Sequence, residues 1–240
     1  VRRFEYSHRQ RRERGAAQLR AARRGADDGA SQTGGSREAR EGSAAGAGTQ
    51  AKYIAKEYNL LYLDTGKIYR YIAKIKLKEK KNFSYKSIKK KINNIKLKSL
   101  NSKSLLTDEV ANSASILAKN YQIRKMVKKF QLNCAYRPSR YYSGSVLDGR
   151  DITSVIMKDA MFKFYITANL KVRAKRRFDE FKKLKKKISY NEVLKSLRNR
   201  DNLDKNRKYS PLKKTKDSIL INTTKLSKKA CFKKIKMIMD

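Results

Sequence analysis

The chain has 240 residues, 39% of them hydrophobic, and its 62 Lys and Arg against 21 Asp and Glu give a formal net charge of +41. This length fits one domain of ordinary size with appendages, or two small domains. Two distant cysteines and a single histidine, His8, exclude a Cys/His zinc site and predict a reducing compartment, the cytoplasm. No apolar run approaches the roughly 20 residues of a membrane span, and the N-terminus has no signal-peptide h-region, so we expect no membrane partner.

The composition changes abruptly near residue 50. Residues 1–50 hold 11 Arg and no Lys, whereas residues 51–240 hold 11 Arg and 40 Lys scattered among Asn and Ile. The stretch DDGASQTGGSREAREG, residues 27–42, is typical of a disordered linker. RRERGAAQLRAARR (11–24) leaves open a basic arm for RNA, beside disorder or an unrelated leader. The scattered lysines favour a basic background without a nucleic acid partner, and a non-enzymatic RNA-binding protein is the alternative function.

A regular pattern begins at residue 51. Apolar residues at helical spacing predict a buried helix face made of Ala51, Ile54, Ala55 and Tyr58. The short apolar run LLYL (60–63) predicts a buried strand that ends at Asp64. Thr65 is predicted to cap the next helix, whose inner face carries Ile68, Tyr71, Ile72 and Ile75.

Strands and helices continue to alternate along the chain. Further strands are predicted at SVL (145–147), FKFYITA (162–168) and SILINTT (218–224). Helices are predicted between them at about 108–133, 171–184 and 190–199, the last with a capping-box spacing at Ser189 and Glu192. This order predicts an α/β fold with a parallel sheet and helices on its faces. In such sheets ligands bind at the carboxyl ends of the strands, so the polar residues that follow each strand are the site candidates.

The first candidate is LDTGKIYR, after the first strand. A Thr-Gly turn that opens a helix offers free backbone N–H groups, and Arg70 projects from the first turns of that helix. A guanidinium binds phosphate in a bidentate manner, which suits an anionic group. The alternative is a solvated arginine on a helix surface.

The second candidate is LDGRDIT, after the second strand. Arg150 and Asp151 are adjacent at the edge of the predicted sheet. The arginine is suited to hold phosphate, and the carboxylate to accept hydrogen bonds from the amino group of a base. A surface ion pair is the alternative.

The third candidate is RNRDNLDKNRKYSPL, at the end of the capped helix. Arg200, Asp204 and Arg207 are spaced four and three residues apart, so they share one helical face or its continuation. Two arginines beside a carboxylate suit a sugar hydroxyl next to a phosphate. The alternative is an exposed helix with mixed charges.

Together these stretches resemble bacterial cytidylate kinase, a P-loop family that phosphorylates CMP and dCMP. The resemblance runs from about residue 48 to the C-terminus and rests on segments in family order: YLDTGKIYR, EVANSAS with IRK, LDGRDI, RAKRR, RDNLDKNRKYSPL and ILINTT. It implies a nucleoside monophosphate kinase-like fold, monomeric, in which residues 48–240 form the kinase domain. It also implies a CMP-binding insert at about 67–133 and a lid at about 175–195. Residues 1–47 are then an unmatched and disordered segment.

The resemblance also implies site roles and substrates, with ATP as phosphate donor, CMP or dCMP as acceptor, and Mg²⁺. Cytosine is expected to contact Ser115, Arg124 and Asp151, and the ribose is expected to contact Arg200 and Asp204. The CMP side further includes Thr65, and the CMP phosphate is expected to contact Arg70, Arg150 and Arg207. On the ATP side the expected residues are Gly46, Gly48, Thr49, Arg173, Arg176 and Arg177, with Thr49 as the Mg²⁺ ligand. Arg70, Arg150, Arg176 and Arg207 are the expected catalytic arginines, because phosphoryl transfer needs cations around the transferring group more than covalent chemistry.

The start of the P-loop departs from the family pattern G-x-x-x-x-G-K-G-T. Counted back without gaps, Gly48 and Thr49 match its last two positions, whereas Ala47 stands in place of the lysine and Glu41 in place of the first glycine. No apolar strand precedes the loop. We interpret GSAAGAGTQ as the tail of a P-loop joined to foreign sequence, which predicts impaired activity. A small-residue linker is the alternative. Leu106 also stands where the family often has an arginine.

Overall fold

The computed structural model describes residues 44–240. Within this range there are four strands: β1 (Leu60–Asp64), β2 (Gly144–Asp148), β3 (Phe164–Thr167) and β4 (Ile219–Asn222). Eight α-helices surround them: α1 (Ala47–Glu57), α2 (Thr65–Glu79), α3 (Tyr85–Asn93), α4 (Asp108–Leu117), α5 (Tyr121–Tyr136), α6 (Leu170–Lys183), α7 (Tyr190–Asn206) and α8 (Lys228–Met239). None of the helices in this range is long and apolar enough to cross a membrane.

The strands of the described part form two parallel pairs. β1 pairs with β2 so that Leu60 lies opposite Gly144 and Asp64 opposite Asp148. β3 pairs with β4 so that Phe164 lies opposite Ile219. Parallel strands joined by helices confirm the predicted α/β class, because a parallel connection needs a crossover that a helix provides. The four predicted strands are all present, and each is within a few residues of its predicted bounds.

The first helix and strand form as the apolar pattern predicts. Ala51 and Ile54 of α1 and Tyr58, which directly follows it, are buried, whereas Ala55 is only partly buried. Ile54 and Tyr58 pack with residues of α8 and β4. In α2, Ile68 and Ile72 are fully buried, whereas Tyr71 and Ile75 of the predicted inner face are partly buried and pack against the same core. The predicted cap of α2 is wrong by one residue. Its N-cap is Asp64, whose carboxylate accepts a hydrogen bond from the Gly66 N–H, because an aspartate before a helix reaches the free amides as readily as a threonine does.

A larger core lies between α2 and the helices α3, α4 and α5. It contains Leu63 of β1 together with Ile88, Ile92, Val110, Ile123 and Val127. The single helix predicted over about 108–133 is instead two helices. Asn120 begins the second of them, since its side chain accepts a hydrogen bond from the Ile123 N–H. An asparagine cap interrupts an apolar period that continues across the break, so periodicity alone did not reveal it.

Helices α6 and α7 form a third packed unit. Ala174, Phe181, Val193 and Leu197 are its buried residues. The predicted capping box is present at the start of α7, where Ser189 and Glu192 bond each other's backbone amides. Helix α7 extends to Asn206, further than the predicted 190–199. The predicted arm 11–24, the linker 27–42 and Glu41 lie outside the described residues.

Residues 44–47 pack into the described fold, although the sequence analysis assigned them to the unmatched segment. Ala45 is buried, and its carbonyl accepts a hydrogen bond from the Thr223 hydroxyl at the end of β4. Ala44 and Gly46 both have positive φ, 53° and 94°, so the chain turns sharply before α1 begins. This turn lies at the carboxyl ends of the strands, where a ligand site is expected.

Candidate active site

One large cleft opens at the carboxyl ends of the strands. Its volume is about 900 Å³, and it is lined by the turn before α1 and by the residues that follow β1, β2 and β4. Twelve Lys and Arg line it against six Asp and Glu, so the cleft favours an anionic ligand. Thirteen of the fifteen predicted site residues line this cleft: Gly46, Gly48, Thr49, Thr65, Arg70, Ser115, Arg124, Arg150, Asp151, Arg176, Arg200, Asp204 and Arg207.

The N-terminus of α1 faces this cleft. Gly46 is its N-cap, and because glycine has no side chain it cannot cap the first N–H groups of the helix. The first turn also has no acidic residue. Free backbone N–H groups at a helix start bind phosphate. A Cβ at Gly48 would lie 2.9 Å from Asp148 Oδ2, so a larger residue at this position requires the Asp148 carboxylate to shift. Ala47, in place of the family's lysine, lines the same cleft without a charge.

Two carboxylates lie together beside this turn. Asp64 and Asp148 end β1 and β2 in direct register, and both line the cleft. Burial and then the charge of Asp64 raise the pKa of Asp148 to about 7, against the lowering effect of Arg150 and Arg200. Burial also raises the pKa of Asp64, against the lowering effect of Lys67. A paired, buried set of carboxylate oxygens is suited to a hard divalent cation.

The predicted cytosine residues lie on one side of the cleft. Arg124 and Asp151 form a buried ion pair at 2.5 Å, and Arg124 also donates a hydrogen bond to the Ala118 carbonyl at 3.0 Å. The Arg124 guanidinium lies 5.8 Å from the centre of the Tyr69 ring, and burial raises the pKa of Tyr69 to about 12. Ser115 is exposed, and its hydroxyl donates to the Ala111 carbonyl. This group therefore offers charged and neutral hydrogen-bonding atoms next to an aromatic face.

Asp204 is the centre of an arginine cluster. Arg150 donates from Nε to Asp204 Oδ2 at 2.7 Å, and Arg207 donates from Nη1 to Oδ1 at 3.4 Å. Arg200 Nε lies 4.0 Å from Asp204 Oδ2. Burial and the neighbouring cations lower the pKa of Arg200 and of Arg207. Three cations share one carboxylate, so the cluster keeps an excess of positive charge that an anion can neutralise.

Arg207 has an unused donor within this cluster. Its Nε donates to the Ser210 carbonyl at 2.6 Å, but Nη2 is buried and has no hydrogen-bond partner among residues 44–240. An unpaired buried donor costs free energy, so a group that lines a ligand cleft in this state is suited to bind the ligand. Two further residues of the cleft are also bonded to backbone carbonyls: Arg70 donates to the Leu105 carbonyl, and the Thr65 hydroxyl donates to the Asp148 carbonyl at 2.8 Å.

The three arginines of α6 have different surroundings. Arg176 lines the cleft and donates to the carbonyl of Thr223 at 2.6 Å. Arg173 does not line it. Its side chain is buried against α7, where it forms a bidentate pair with Asp201 and donates to the Ala168 carbonyl. Arg177 also lies outside the cleft, with its guanidinium 4.2 Å from the centre of the Phe181 ring and paired with Glu180.

Sequence reasoning did not name Asp64, Asp148 or Tyr69 as site residues. The two aspartates directly follow apolar runs, which is the signal that pointed to Arg150 and Asp151. Applied to the aspartates, the same rule identifies the pair that ends β1 and β2. Nothing in the local sequence marks Tyr69. Its place in the site depends on Arg124, which is 55 residues away along the chain and lies over the Tyr69 ring.

A parallel α/β core, a glycine turn that feeds a helix, and an arginine-lined cleft at the strand ends define a P-loop protein of the nucleoside monophosphate kinase type. The sequence model of the cytidylate kinase family matches residues 41–240. The cytidylate kinase of Bartonella henselae is 39% identical over 191 residues, which cover 79% of this chain and 87% of that protein. The cytidylate kinase of Clostridium botulinum (strain Loch Maree / Type A3) is 38% identical over 192 residues, with 75% and 86% covered. The chain therefore belongs to the cytidylate kinase family.

Proposed function

We propose that the chain transfers the γ-phosphoryl group of ATP to CMP and to dCMP, giving CDP and dCDP. The observation that carries this proposal is that one cleft holds both the Arg124–Asp151 pair and the arginine cluster around Asp204, next to the N-terminus of α1. Phosphoryl transfer needs two phosphates held in line and cations around the transferring group. A cleft with this arrangement of charges meets that requirement.

On the acceptor side, Asp151 accepts a hydrogen bond from the cytosine amino group, and Arg124 and Ser115 bind the other polar atoms of the base. Arg200 and Asp204 bind the ribose hydroxyls. Arg70, Arg150 and Arg207 hold the CMP phosphate, and the buried, unpartnered Nη2 of Arg207 supports this role. Charge-assisted hydrogen bonds of this kind are about twice as strong as neutral ones, so they fix the phosphate in place for attack on ATP.

On the donor side, the amides at the start of α1 cradle the ATP phosphates, and Arg176 neutralises charge from the opposite wall. Arg173 and Arg177 stay outside this set because their side chains do not line the cleft.

Thr49, Asp64 and Asp148 are the residues that would hold Mg²⁺, since a hydroxyl and two carboxylates are ligands that this ion prefers. When bound, Mg²⁺ supplies positive charge that neutralises the phosphates. The two carboxylates fit a cation because without one they repel each other.

The proposed activity is low in this chain. Ala47 supplies no cation for the bridging oxygen between the β- and γ-phosphates, and no other residue of the first turn of α1 carries charge. Removal of one preorganised donor of this kind costs about 10²–10³ in rate. We therefore infer that the chain binds CMP better than it binds ATP.

A coupled assay tests the proposal, with ATP as donor and CMP, dCMP, UMP or AMP as acceptor at equal concentration. The expected result is slow ADP formation that depends on CMP or dCMP. The variant Arg207→Lys keeps one positive charge but loses the planar guanidinium, so its rate should be lower than that of the parent chain. Turnover that is the same with all four acceptors, or that does not depend on the acceptor, would contradict the proposed substrate.

A further inference from the structure

Two tyrosines contact each other just outside the nucleotide cleft. The ring centroids of Tyr121 and Tyr209 are 5.3 Å apart and the rings are tilted by 48°, a distance typical of attractive aromatic pairs. Neither side chain lines the cleft, and the exposed fractions of the two residues are 55% and 40%. Neither belongs to the buried clusters of residues 44–240. The pair therefore joins two surface segments and is not a core contact.

These two segments carry Arg124 and Arg207. Tyr121 is the first residue of α5, one turn before Arg124, and the Asn120 side chain caps this end of the helix. Tyr209 follows Arg207, the C-cap of α7, by two residues. Burial and then the charge of Arg124 lower the pKa of Arg207, so the two guanidinium groups are close enough to repel each other. The ring pair holds together segments that this repulsion drives apart.

Tyr209 lies in a strained turn. The next residue, Ser210, has a φ of 50°, in the region that a residue with a Cβ rarely adopts. Ser210 also precedes Pro211, and the residue before a proline is normally extended. A strained backbone conformation persists only where the surrounding contacts hold it. The contact between Tyr209 and Tyr121 is such a contact, and it acts on the residue directly before the strained one.

This turn orients the guanidinium of Arg207. The Ser210 carbonyl accepts a hydrogen bond from Arg207 Nε at 2.6 Å, and Asp204 accepts one from Nη1. A guanidinium is planar and rigid, so fixing Nε and Nη1 also fixes the direction of Nη2. Nη2 is the buried donor that has no partner among residues 44–240. The position of the Ser210 carbonyl therefore decides where this donor points.

We propose that Tyr121 and Tyr209 are positioning residues for CMP: their ring contact holds the turn at Ser210, and the turn aims Nη2 of Arg207 at the acceptor phosphate. This role rests on the proposed function, because the phosphate is that of CMP. Without the ring contact, the turn is free to leave its positive φ. CMP then has to reorder the turn when it binds, and this cost lowers its affinity.

Calorimetry of CMP binding to the full chain tests this role. Tyr121→Ala and Tyr209→Ala are each expected to weaken CMP binding by about three- to tenfold, the fold-change that corresponds to one aromatic pair. The double variant should bind CMP no more weakly than the single variants, because both changes remove the same contact. Tyr121→Phe keeps the ring and should bind CMP as the parent does. Adding Ser210→Gly to Tyr209→Ala should restore most of the lost affinity, because glycine adopts a positive φ without strain.

A second readout needs no nucleotide. In the ligand-free chain, the Nε–H of Arg207 is identified in NMR spectra by its absence from Arg207→Lys. This proton is expected to exchange with solvent faster in Tyr209→Ala than in the parent chain, because its hydrogen bond to Ser210 opens more often. Adding Ser210→Gly should slow the exchange again. If the parent chain binds no CMP but shows this exchange pattern, the proposed function is wrong and the positioning of Arg207 is supported.

Three results would overturn the role of the ring pair. The first is unchanged CMP affinity in both alanine variants. The second is an equal loss in Tyr121→Phe and Tyr121→Ala, since the ring contact is then not the cause. The third is that Ser210→Gly restores neither the affinity nor the slow exchange of Tyr209→Ala, because the pair then does not hold the turn. Tyr141→Ala removes an exposed ring outside the cleft and is the matched control, which should bind CMP as the parent does.

Discussion

Asp64 and Asp148 end two neighbouring parallel strands directly opposite each other, and both line the nucleotide cleft. Burial raises the pKa of both carboxyl groups, and the charge of Asp64 raises the pKa of Asp148 further. Above the pKa of Asp148 the native fold therefore contains two buried like charges in the cleft. This arrangement favours a bound cation and lowers the stability of the protein when no cation is present.

The first prediction concerns this pair. A carboxyl whose native pKa is raised to about 7 holds its proton more tightly in the folded state, so its contribution to stability is lost as pH rises from about 4 to 7. In EDTA, Asp148→Asn should be more stable than the parent chain at pH 8, by a few kcal/mol, and should differ little at pH 4. Denaturant unfolding across this pH range measures the difference.

The control for this prediction is Glu109→Gln, which removes an exposed carboxylate of α4 that does not line the cleft. It should leave the pH dependence of the free energy of unfolding unchanged. An Asp148→Asn variant that is less stable than the parent chain at pH 8 would show that the carboxylate pair is not unfavourable.

A second prediction concerns CMP binding. Arg124→Ala and Asp151→Ala each remove a partner from a buried charge-assisted hydrogen bond, worth roughly 1.5–3 kcal/mol. CMP affinity measured by calorimetry should fall by about 10- to 100-fold in each. Arg140→Ala, an exposed arginine over the Tyr141 ring, is the control and should bind CMP as the parent does. If CMP affinity is unchanged in both Arg124→Ala and Asp151→Ala, the assignment of the cytosine pocket is wrong.

A third prediction concerns base specificity. A site built around hydrogen bonds to one base leaves its own polar groups unpaired when the wrong base enters. AMP should therefore have a kcat/KM lower than that of CMP by roughly 10⁴-fold. The ratio of the two kcat/KM values does not depend on the incomplete loop before α1, because both acceptors react with ATP at the same donor site. Equal turnover of AMP and CMP in the coupled assay would refute the roles of Ser115, Arg124 and Asp151.

A fourth prediction concerns the incomplete loop. Replacing residues 1–47 with an apolar strand and a complete glycine-rich loop that carries lysine should raise the rate by about 10²–10³ or more. The same replacement with alanine at the lysine position is the matched control, and it separates the effect of the cation from that of the added strand. If the chain as given already turns over at the repaired rate, the interpretation of the loop is wrong.

A fifth prediction separates Arg173 from the arginines of the cleft. Its bidentate pair with Asp201 ties α6 to α7, so Arg173→Met should lower the free energy of unfolding by about 1.5–3 kcal/mol. CMP affinity should stay within about threefold of the parent value, because the side chain lies outside the cleft. Arg176→Met provides the contrast, with a larger loss of ATP affinity. If Arg173→Met loses nucleotide affinity without losing stability, Arg173 belongs to the nucleotide site after all.

Sequence alone determined the class of fold, the order of its elements and the family. Short apolar runs and the 3.6-residue apolar period depend only on near neighbours, so β1, β2, β4 and α6 were predicted close to their observed bounds. The helix break at Asn120 and the Asp64 cap were missed, because a single polar side chain decided each of them. Ser115 and Arg124 were named only through the resemblance, Asp151 also through its position after the second strand, and the roles of all three remain predictions.

Tertiary structure decided the relations between residues that are distant along the chain. It set Asp64 against Asp148, gathered Arg150, Arg200 and Arg207 around Asp204, and left Nη2 of Arg207 without a partner among residues 44–240. It also turned Arg173 away from the cleft, although Arg173 and Arg176 lie on the same helix and only three residues apart. Local patterns specify which face of a helix is buried, but the partner of a charged side chain depends on which segments the fold brings within a few ångströms of it. That distance is a property of the packed chain, so no stretch of the sequence contains it.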